Sequence, residues 1–341
     1  MAISITKPSI KRSDMNAVLT CLVSDTIGPG GVAKKLVGAM AKYFGSTGGA
    51  AFREYNRAIG VALDSLNIAP GSSIIISPLS PEIYVPVIKA KGYSILYCDV
   101  DPDTGCISAP AIEKLMSSNP AAILLHAPLG FVPDIKSIEE YEIPIIEDIS
   151  HCVGGNTKEH PLGSYGKFTI VSMEADNIIT SGGGSVVLAK GRQDYSHLKS
   201  NIESLTADCF LSDLNAALGL VQFETLERYI QRRREIASHY AKAMMRSRHK
   251  TLSQNDESEN VYYSFPVFLS SGMKEVAQYA KKKKIQTRPA FAGCALETAD
   301  LETDSCPHAQ SLLLRTLLFP LYPSLGKQNV EYVAKVLSTL P

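Results

Sequence analysis

The sequence predicts an α/β fold, with a mostly parallel central sheet between helices and a smaller C-terminal α+β domain. Two observations support this prediction. Short apolar runs such as IIIS, AAILLH and IPIIE are continuous rather than alternating, and helical segments separate them. Continuous runs are typical of parallel strands that helices cover on both faces. A length of 341 residues also suggests two domains, which we place at residues 1–240 and 241–341.

The expected elements follow one another as repeated strand–helix units, and such units imply an α/β fold. In the first half we predict helices over residues 34–44, 57–66, 81–91 and 110–116, and strands over 73–76, 94–100, 121–126 and 143–147. A glycine-rich turn then enters a strand within 178–189, and 212–246 is typical of one long helical tract. From residue 261 the order is strand, helix, a strand near 285, and a final helix over 327–340.

Charge and cysteine content exclude several classes of protein. The 34 basic and 34 acidic residues cancel, so nothing favours nucleic acid or an anionic membrane as partner. No apolar run approaches the ~18–20 residues of a membrane-spanning helix, and the N-terminal MAISITKPSIKRSD has no apolar signal core. The seven cysteines are scattered without a CxxC pair, so we expect no zinc site and a reducing, cytoplasmic location.

Several strings in order give the chain a family likeness. These are ISITKPSI, the IGPGG turn, LDSLNIAPGSSIII, YCDVDPDTGCISAPAIE, PIIEDISHCVGG, PLGSYG, SGGG, LSDLNAALGLVQFETLERYIQRRREIASHY and CPHA…LFPLYPSL. With these strings the chain resembles the DegT/DnrJ/EryC1/StrS nucleotide-sugar aminotransferases of the fold-type-I pyridoxal-phosphate superfamily, over nearly its whole length. The resemblance implies the fold-type-I aminotransferase architecture, a homodimer with sites built across its two-fold interface, and a nucleotide-sugar ligand.

Three family site positions are retained. Pyridoxal phosphate is an electron sink held by a lysine Schiff base and by an acid on its pyridine nitrogen. Asp148 stands at the position of that acid, His151 matches the residue that faces the cofactor ring, and Ser172 matches the family serine. From the residue types alone, Asp148 could equally cap the turn after its strand, and His151 could be a partly buried packing residue.

The Schiff-base lysine is missing from its expected segment. Alignment from GSYG and Ser172 places Asn177 at the lysine position, whereas alignment from the SGGG turn places Asp176 there. The whole stretch VSMEADNIITSGGG contains no lysine. Because neither side chain carries an amine nucleophile, the resemblance implies a degenerate member of the family.

The phosphate and ring contacts of the family are altered as well. Glu54, Tyr55 and Asn56 replace the Ser-Gly-Thr whose backbone N–H groups receive the phosphate, Pro81 replaces a stacking aromatic residue, and Asp208 replaces an asparagine contributed by the partner chain. We therefore expect no bound cofactor, or at most pyridoxal or pyridoxamine phosphate held weakly. We also expect residues 208–213 of one chain to approach 54–56 of the other. Burial and like charge should then raise the pKa of at least one of Glu54 and Asp208, unless a basic group or water separates them.

Three functions remain compatible with these residues. The first is a protein of nucleotide-sugar or surface-polysaccharide metabolism without transaminase activity, acting alone or paired with an active relative. The second is an enzyme that binds pyridoxal or pyridoxamine phosphate non-covalently, like the deoxysugar dehydratases of the family, with His151 and Asp148 in acid–base roles. The third is a nucleotide-sugar binding protein. The lysine run at 281–284 is interpreted as a solvated helix end.

Overall fold

The computed structural model describes residues 2–25, 27–254, 258–299 and 305–341. The strands in this part of the chain are β1 (Gly48–Phe52), β2 (Ser73–Ile76), β3 (Ser94–Tyr97), β4 (Ala122–His126), β5 (Ile145–Asp148), β6 (Asn156–Thr157), β7 (Phe168–Ser172), β8 (Ser185–Ala189), β9 (Lys250–Thr251), β10 (Ser258–Glu259), β11 (Phe265–Phe268), β12 (Arg288–Pro289) and β13 (Thr316–Phe319). The α-helices are α1 (Arg12–Val23), α2 (Gly31–Phe44), α3 (Tyr55–Ser65), α4 (Tyr84–Ala90), α5 (Ala109–Glu113), α6 (Ile135–Glu139), α7 (Arg192–Glu203), α8 (Asp213–Glu224), α9 (Leu226–Met244), α10 (Met273–Lys282), α11 (Pro307–Arg315) and α12 (Lys327–Leu337).

A seven-stranded sheet in the order β1-β8-β7-β5-β4-β2-β3 forms the centre of the molecule. Strands β3, β2, β4, β5 and β7 are parallel to one another, whereas β8 and β1 join as antiparallel strands at one side. The mostly parallel sheet between helices is therefore the predicted architecture. Because β4, β5 and β7 run in one direction, the residues that end them, His126, Asp148 and Ser172, lie along the same edge of the sheet.

Both faces of this sheet are buried, which explains the continuous apolar runs. Ile74 and Ile76 pack in a cluster with Ile59 of α3, whereas Ile75 between them packs in another cluster with Ile138 of α6. Successive residues of one strand point to opposite faces. Every position of such a strand must therefore be apolar.

The smaller C-terminal region contains a four-stranded sheet in the order β12-β13-β11-β9. Its core shares one cluster with one end of α9, including Tyr240 and Met244, whereas Leu226 and Ile230 at the other end join the core of the large sheet. Residue 240 thus lies inside a helix that serves both cores, and the division at 240 stays a prediction.

Some elements differ from the expectations. The tract at 212–246 is two helices, since Thr225 leaves helical geometry between α8 and α9 (φ −101°, ψ 7°). Strand β1 is not among the predicted elements because its Gly and Ala residues have low strand propensity. Strand β7 is not among the predicted elements either, because Thr169 and Ser172 break its apolar run. The expected strand near 285 is a single bridge between Ile3 and Ile285.

Candidate functional site

A cavity of about 250 Å³ opens at the edge of the sheet where β4, β5 and β7 end. In open α/β sheets this edge is where ligands bind. Its polar lining consists of side chains from both halves of the sequence: Tyr55, His126, Ser150, His151, Ser172, Glu174, Asp176, Asn177, Tyr263 and Arg288. The cavity therefore brings together residues more than 200 positions apart in the chain.

Asp148 lies beneath this cavity with a fully buried side chain. Its Oδ1 accepts hydrogen bonds from the backbone N–H (3.0 Å) and the hydroxyl of Ser150. Its Oδ2 accepts from the hydroxyls of Tyr55 and Tyr84, and His126 Nδ1 lies 3.7 Å from that oxygen. Burial acts to raise the pKa of Asp148, but His126, Ser150 and Tyr55 outweigh burial and lower the pKa below its usual value. The carboxylate is therefore ionised, with donors on both oxygens.

Tyr55 and Tyr84 reach Asp148 from the first turns of two neighbouring helices. Each is the first residue of its helix, α3 for Tyr55 and α4 for Tyr84, and their hydroxyl oxygens lie 3.5 Å apart. Burial, followed by the charge of Asp148, raises the pKa of both phenols well above the usual value. Both hydroxyls therefore stay protonated and act as hydrogen-bond donors.

Three buried polar atoms of residues that line the cavity have no hydrogen-bond partner among the described residues. They are His126 Nδ1, His151 Nδ1 and Ser172 Oγ. Burial, with the charge of His126, lowers the pKa of His151 to about 3, so its imidazole is neutral. A buried polar atom without a hydrogen-bond partner lowers the stability of the folded state. A ligand with hydroxyl groups would supply the missing hydrogen bonds.

Packing fixes the position of the His151 ring. It stacks on Tyr263, with ring centroids 4.0 Å apart and an angle of 18° between the planes. Arg233 in turn holds the segment that carries Tyr263, since its Nη1 donates to the carbonyl oxygens of Tyr262 and Tyr263 at 2.9 Å each. The histidine is thus oriented by α9, through a side chain that does not line the cavity.

A single cationic side chain stands among the described residues that line this cavity. Arg288 of β12 forms an ion pair with Asp176, with 2.9 Å between Nη1 and Oδ2, and its Nη2 donates to Tyr263 Oη at 3.4 Å. Burial acts to raise the pKa of Asp176, but the bond from Arg288 and its charge outweigh burial and lower it. Beside them, Asn177 Nδ2 donates to the carbonyl oxygen of Ser172 at 2.8 Å.

A family model described as the DegT/DnrJ/EryC1/StrS aminotransferase family matches residues 8–338. The chain belongs to this family. GDP-perosamine synthase of Escherichia coli O157:H7 is 25% identical over 302 residues, which are 82% of this chain and 81% of that protein.

Solved structures show the same fold. The aminotransferase TlmJ of Streptoalloteichus hindustanus superposes with a TM-score of 0.90 at 21% identity, over 99% of this chain and 98% of that one. GDP-4-keto-6-deoxy-D-mannose-3-dehydratase of Escherichia coli, solved with bound hydrated pyridoxal phosphate, gives 0.89 at 17% identity, over 99% and 100%. The fold is that of pyridoxal-phosphate-dependent sugar aminotransferases.

Only some of the retained and altered family positions lie at the cavity. The cavity is lined by Tyr55, Pro81, His151 and Ser172, together with both candidates for the lysine position, Asp176 and Asn177. None of the described residues that line it is a lysine. Glu54 and Asn56 are instead exposed at the start of α3, and neither lines this cavity.

Asp208 corrects an expectation about charge. Asp208 itself shows no rise, because it is exposed and its pKa is lowered by a hydrogen bond from Thr206, with the basic groups of Arg53 and Arg57 of its own chain nearby. The neighbouring residue Cys209 accepts a hydrogen bond from the Arg53 backbone N–H at 3.0 Å. The segment after α7 therefore lies beside the start of α3 within one chain, and its approach to a second chain stays a prediction.

Sequence reasoning did not find Tyr84 or Arg288. Tyr84 sits in an apolar helix whose composition indicates only packing, and Arg288 is 112 positions from Asp176. The described residues contain no cluster of three or more His, Cys, Asp and Glu side chains suited to a metal ion. Nor do they contain a helix with the length and hydropathy to cross a membrane.

Proposed function

We propose that this chain acts in nucleotide-sugar or surface-polysaccharide metabolism without transaminase activity of its own. One observation carries the proposal: the hydroxyls of Tyr55 and Tyr84 both donate to Asp148 Oδ2. In a pyridoxal-phosphate enzyme the carboxylate at this position partners the pyridine nitrogen. Here that oxygen already accepts two hydrogen bonds, so two phenols take the role that the cofactor ring would have.

The residues present do not fit pyridoxal phosphate. No lysine is among the described residues that line the cavity, so the amine nucleophile of a Schiff base is missing. Tyr55 stands where small residues would leave backbone N–H groups open to a phosphate, and its side chain turns into the cavity. Pro81 offers much less ring contact than the aromatic residue of the family.

The remaining polar groups support binding of a nucleotide-linked sugar. His151 Nδ1 and Ser172 Oγ lack partners and could bond sugar hydroxyls. The Arg288 guanidinium is suited to a phosphate oxygen. The side chains of this site would then bind and orient a ligand. Neutral His151 donates a hydrogen bond from one ring nitrogen and accepts one at the other.

We also propose a dimer, either with a second copy or with an active relative. Helix α1 supports it, because Met15, Leu19, Leu22 and Val23 are 52%, 56%, 45% and 82% exposed. These positions follow a spacing of i, i+4, i+7 and i+8, so they form one apolar stripe. Apolar patches of this kind mark interaction surfaces. A location in the cytoplasm stays part of the proposal.

An absorbance titration with pyridoxal phosphate tests the proposed function. We expect purified protein to be colourless, and no band of a protonated aldimine to appear at longer wavelength than that of the free aldehyde. Borohydride should fix no cofactor to a lysine. A band that borohydride fixes would overturn the proposal, whereas micromolar binding without fixation would make the non-covalent, dehydratase-like enzyme the leading function.

Reversal of the altered positions gives a graded control. Asn177→Lys alone should not produce a stable aldimine, because the phosphate contacts are still absent. Its combination with Glu54→Ser, Tyr55→Gly, Asn56→Thr and Asp208→Asn should improve cofactor binding measurably. If the single variant binds as well as the combined one, the altered phosphate positions do not explain the lack of cofactor.

A further inference from the structure

A second concave surface, which we call the α10 groove, lies between the N-terminal segment and helix α10. Its volume is about 610 Å³. The N-terminal segment forms one wall, since Ile3 N–H donates to the Lys284 carbonyl (2.8 Å) and Gln286 N–H donates to the Ile3 carbonyl (3.0 Å). Ile285 is 1% exposed, and with Ile5 and Ala277 it gives the groove an apolar surface.

The rim of the groove is cationic, and of its four basic side chains only Arg288 has an acidic partner, Asp176, among the described residues. Lys274, Lys281, Lys284 and Arg288 line it, and no Asp or Glu is among the described residues that do so. On α10, positions 274, 277, 278 and 281 share one face, so two lysines flank an apolar centre. None of the three lysines forms an ion pair with a described residue. The chain as a whole has no formal net charge, so the positive charge of this surface is a local feature.

Lys284 has an unusual backbone conformation for its residue type. Its φ is 59°, in the left-handed region. The Ile285 N–H donates to the Ala280 carbonyl at 2.9 Å, which is the bond that closes a helix when the preceding residue is left-handed. Glycine is the usual residue there because it has no Cβ to clash. A lysine at this position strains the turn and places an ammonium group at the groove.

We propose that the α10 groove binds a small anionic amphiphile, a phosphate or diphosphate ester of an apolar alcohol. The aliphatic part would lie on Ile5, Ala277 and Ile285 and lose contact with water. The phosphate would lie between the ammonium groups of Lys281 and Lys284, which act as compact cationic donors. The volume falls in the range of ~300–1,000 Å³ that is typical of small-molecule sites.

The surface favours this ligand over a nucleotide. A base needs several directed hydrogen bonds, whereas the middle of the groove presents mainly carbon. Arg288 lines both the groove and the cavity, so a phosphate held by Lys284 would lie towards the mouth of the cavity. Binding here does not depend on the function proposed above, because a ligand of the groove needs no contact with Asp148 or His151.

Calorimetric titration of the full chain tests the proposal with four probes: geranyl diphosphate, pyrophosphate, geraniol and UDP. We expect geranyl diphosphate to bind at least tenfold more tightly than each of the other three. The double variant Lys281→Gln/Lys284→Gln should weaken it at least tenfold. The matched control Lys282→Gln/Lys283→Gln removes the same charge from positions that do not line the groove, and should change affinity less than twofold.

Several outcomes would overturn the proposal. Pyrophosphate as tight as geranyl diphosphate would mean that the apolar surface contributes nothing, and an equal loss in both double variants would mean non-specific attraction. Tighter binding of UDP would assign the groove to a nucleotide, and no binding of geranyl diphosphate would end the proposal. The pyridoxal phosphate titration is read separately, so failure here leaves the proposed function untouched.

Discussion

The cavity above Asp148 and the α10 groove differ in how their charges are compensated. In the cavity, Asp148 has hydrogen-bond donors on both carboxylate oxygens and Asp176 is paired with Arg288. In the groove, three lysines stand beside apolar carbon without an anionic partner among the described residues. Compensated charges stabilise the fold, whereas uncompensated charges are available to a ligand. The comparison indicates that substitutions of Asp148 and its hydrogen-bond donors mainly change stability, and those of the groove lysines mainly change binding.

The largest expected effect is that of Asp148→Ala. The substitution leaves the hydroxyls of Tyr55, Tyr84 and Ser150 without their acceptor, and each buried orphan costs about 1–3 kcal/mol. We expect a loss of about 3 kcal/mol or more in the free energy of unfolding, measured by urea denaturation. A loss below about 1 kcal/mol would mean that this network does not stabilise the fold.

Acid should reproduce part of that loss. Because the pKa of Asp148 is lowered in the folded state, its contribution is fully present above the unfolded carboxyl pKa of about 3.9. It is lost as the pH falls through the lower folded value. Between pH 5 and pH 3 the wild type should lose more stability than Asp148→Asn.

That difference isolates Asp148 from the other carboxyl groups. Glu147, whose pKa is raised by burial, is common to both proteins and cancels. Parallel curves for the two proteins would contradict a lowered pKa at Asp148.

A smaller effect is expected from single losses of the phenol hydroxyls. Tyr55→Phe removes one of two donors to Asp148 Oδ2 and leaves the other in place. We expect a loss of about 1.5–3 kcal/mol, the range for hydrogen bonds to charged groups. Tyr84→Phe is the matched variant and should lose a similar amount, whereas the double variant should lose more than the sum. Simple additivity would show that the two hydroxyls do not replace each other.

The smallest effect should come from the groove. Lys281→Gln/Lys284→Gln removes like charges that lie close together, so stability should rise by a few tenths of a kcal/mol at low salt. The gain should disappear near 1 M salt, where screening shortens the range of the repulsion. A loss of stability would mean that favourable interactions of these lysines, with the carbonyl end of α10 or with an anionic partner, outweigh their mutual repulsion.

The sequence predicts the sheet better than it predicts the contacts at its edge. The strand at 73–76 matches β2 in both bounds, and Asp148 ends a strand as the motif IIED implied. Period and composition are local signals, so they suffice for these elements. They do not reveal that Tyr84 of α4 would reach Asp148 of β5, or that Arg288 would pair with Asp176. Such contacts depend on how distant elements pack, and one sequence carries no direct record of that.

Tyr55 also shows that a sequence position does not predict the direction of a side chain. Its place at the start of a helix predicted a clash with phosphate, but the direction of its side chain was not predictable. The structure turns the ring towards the carboxylate, where its hydroxyl donates to Asp148 Oδ2. The surroundings of Asp208 were not predictable for the related reason that the hydrogen bond from Thr206 and the nearby Arg53 and Arg57 exist only in the folded chain.

The two phenols on one carboxylate oxygen also make the cover of Asp148 redundant. If either tyrosine is replaced by a smaller residue, the other hydroxyl still donates to Oδ2, so no single substitution exposes that oxygen. A ligand therefore reaches Asp148 Oδ2 only after both side chains are removed, and the protein that lacks one of them is already less stable than the wild type.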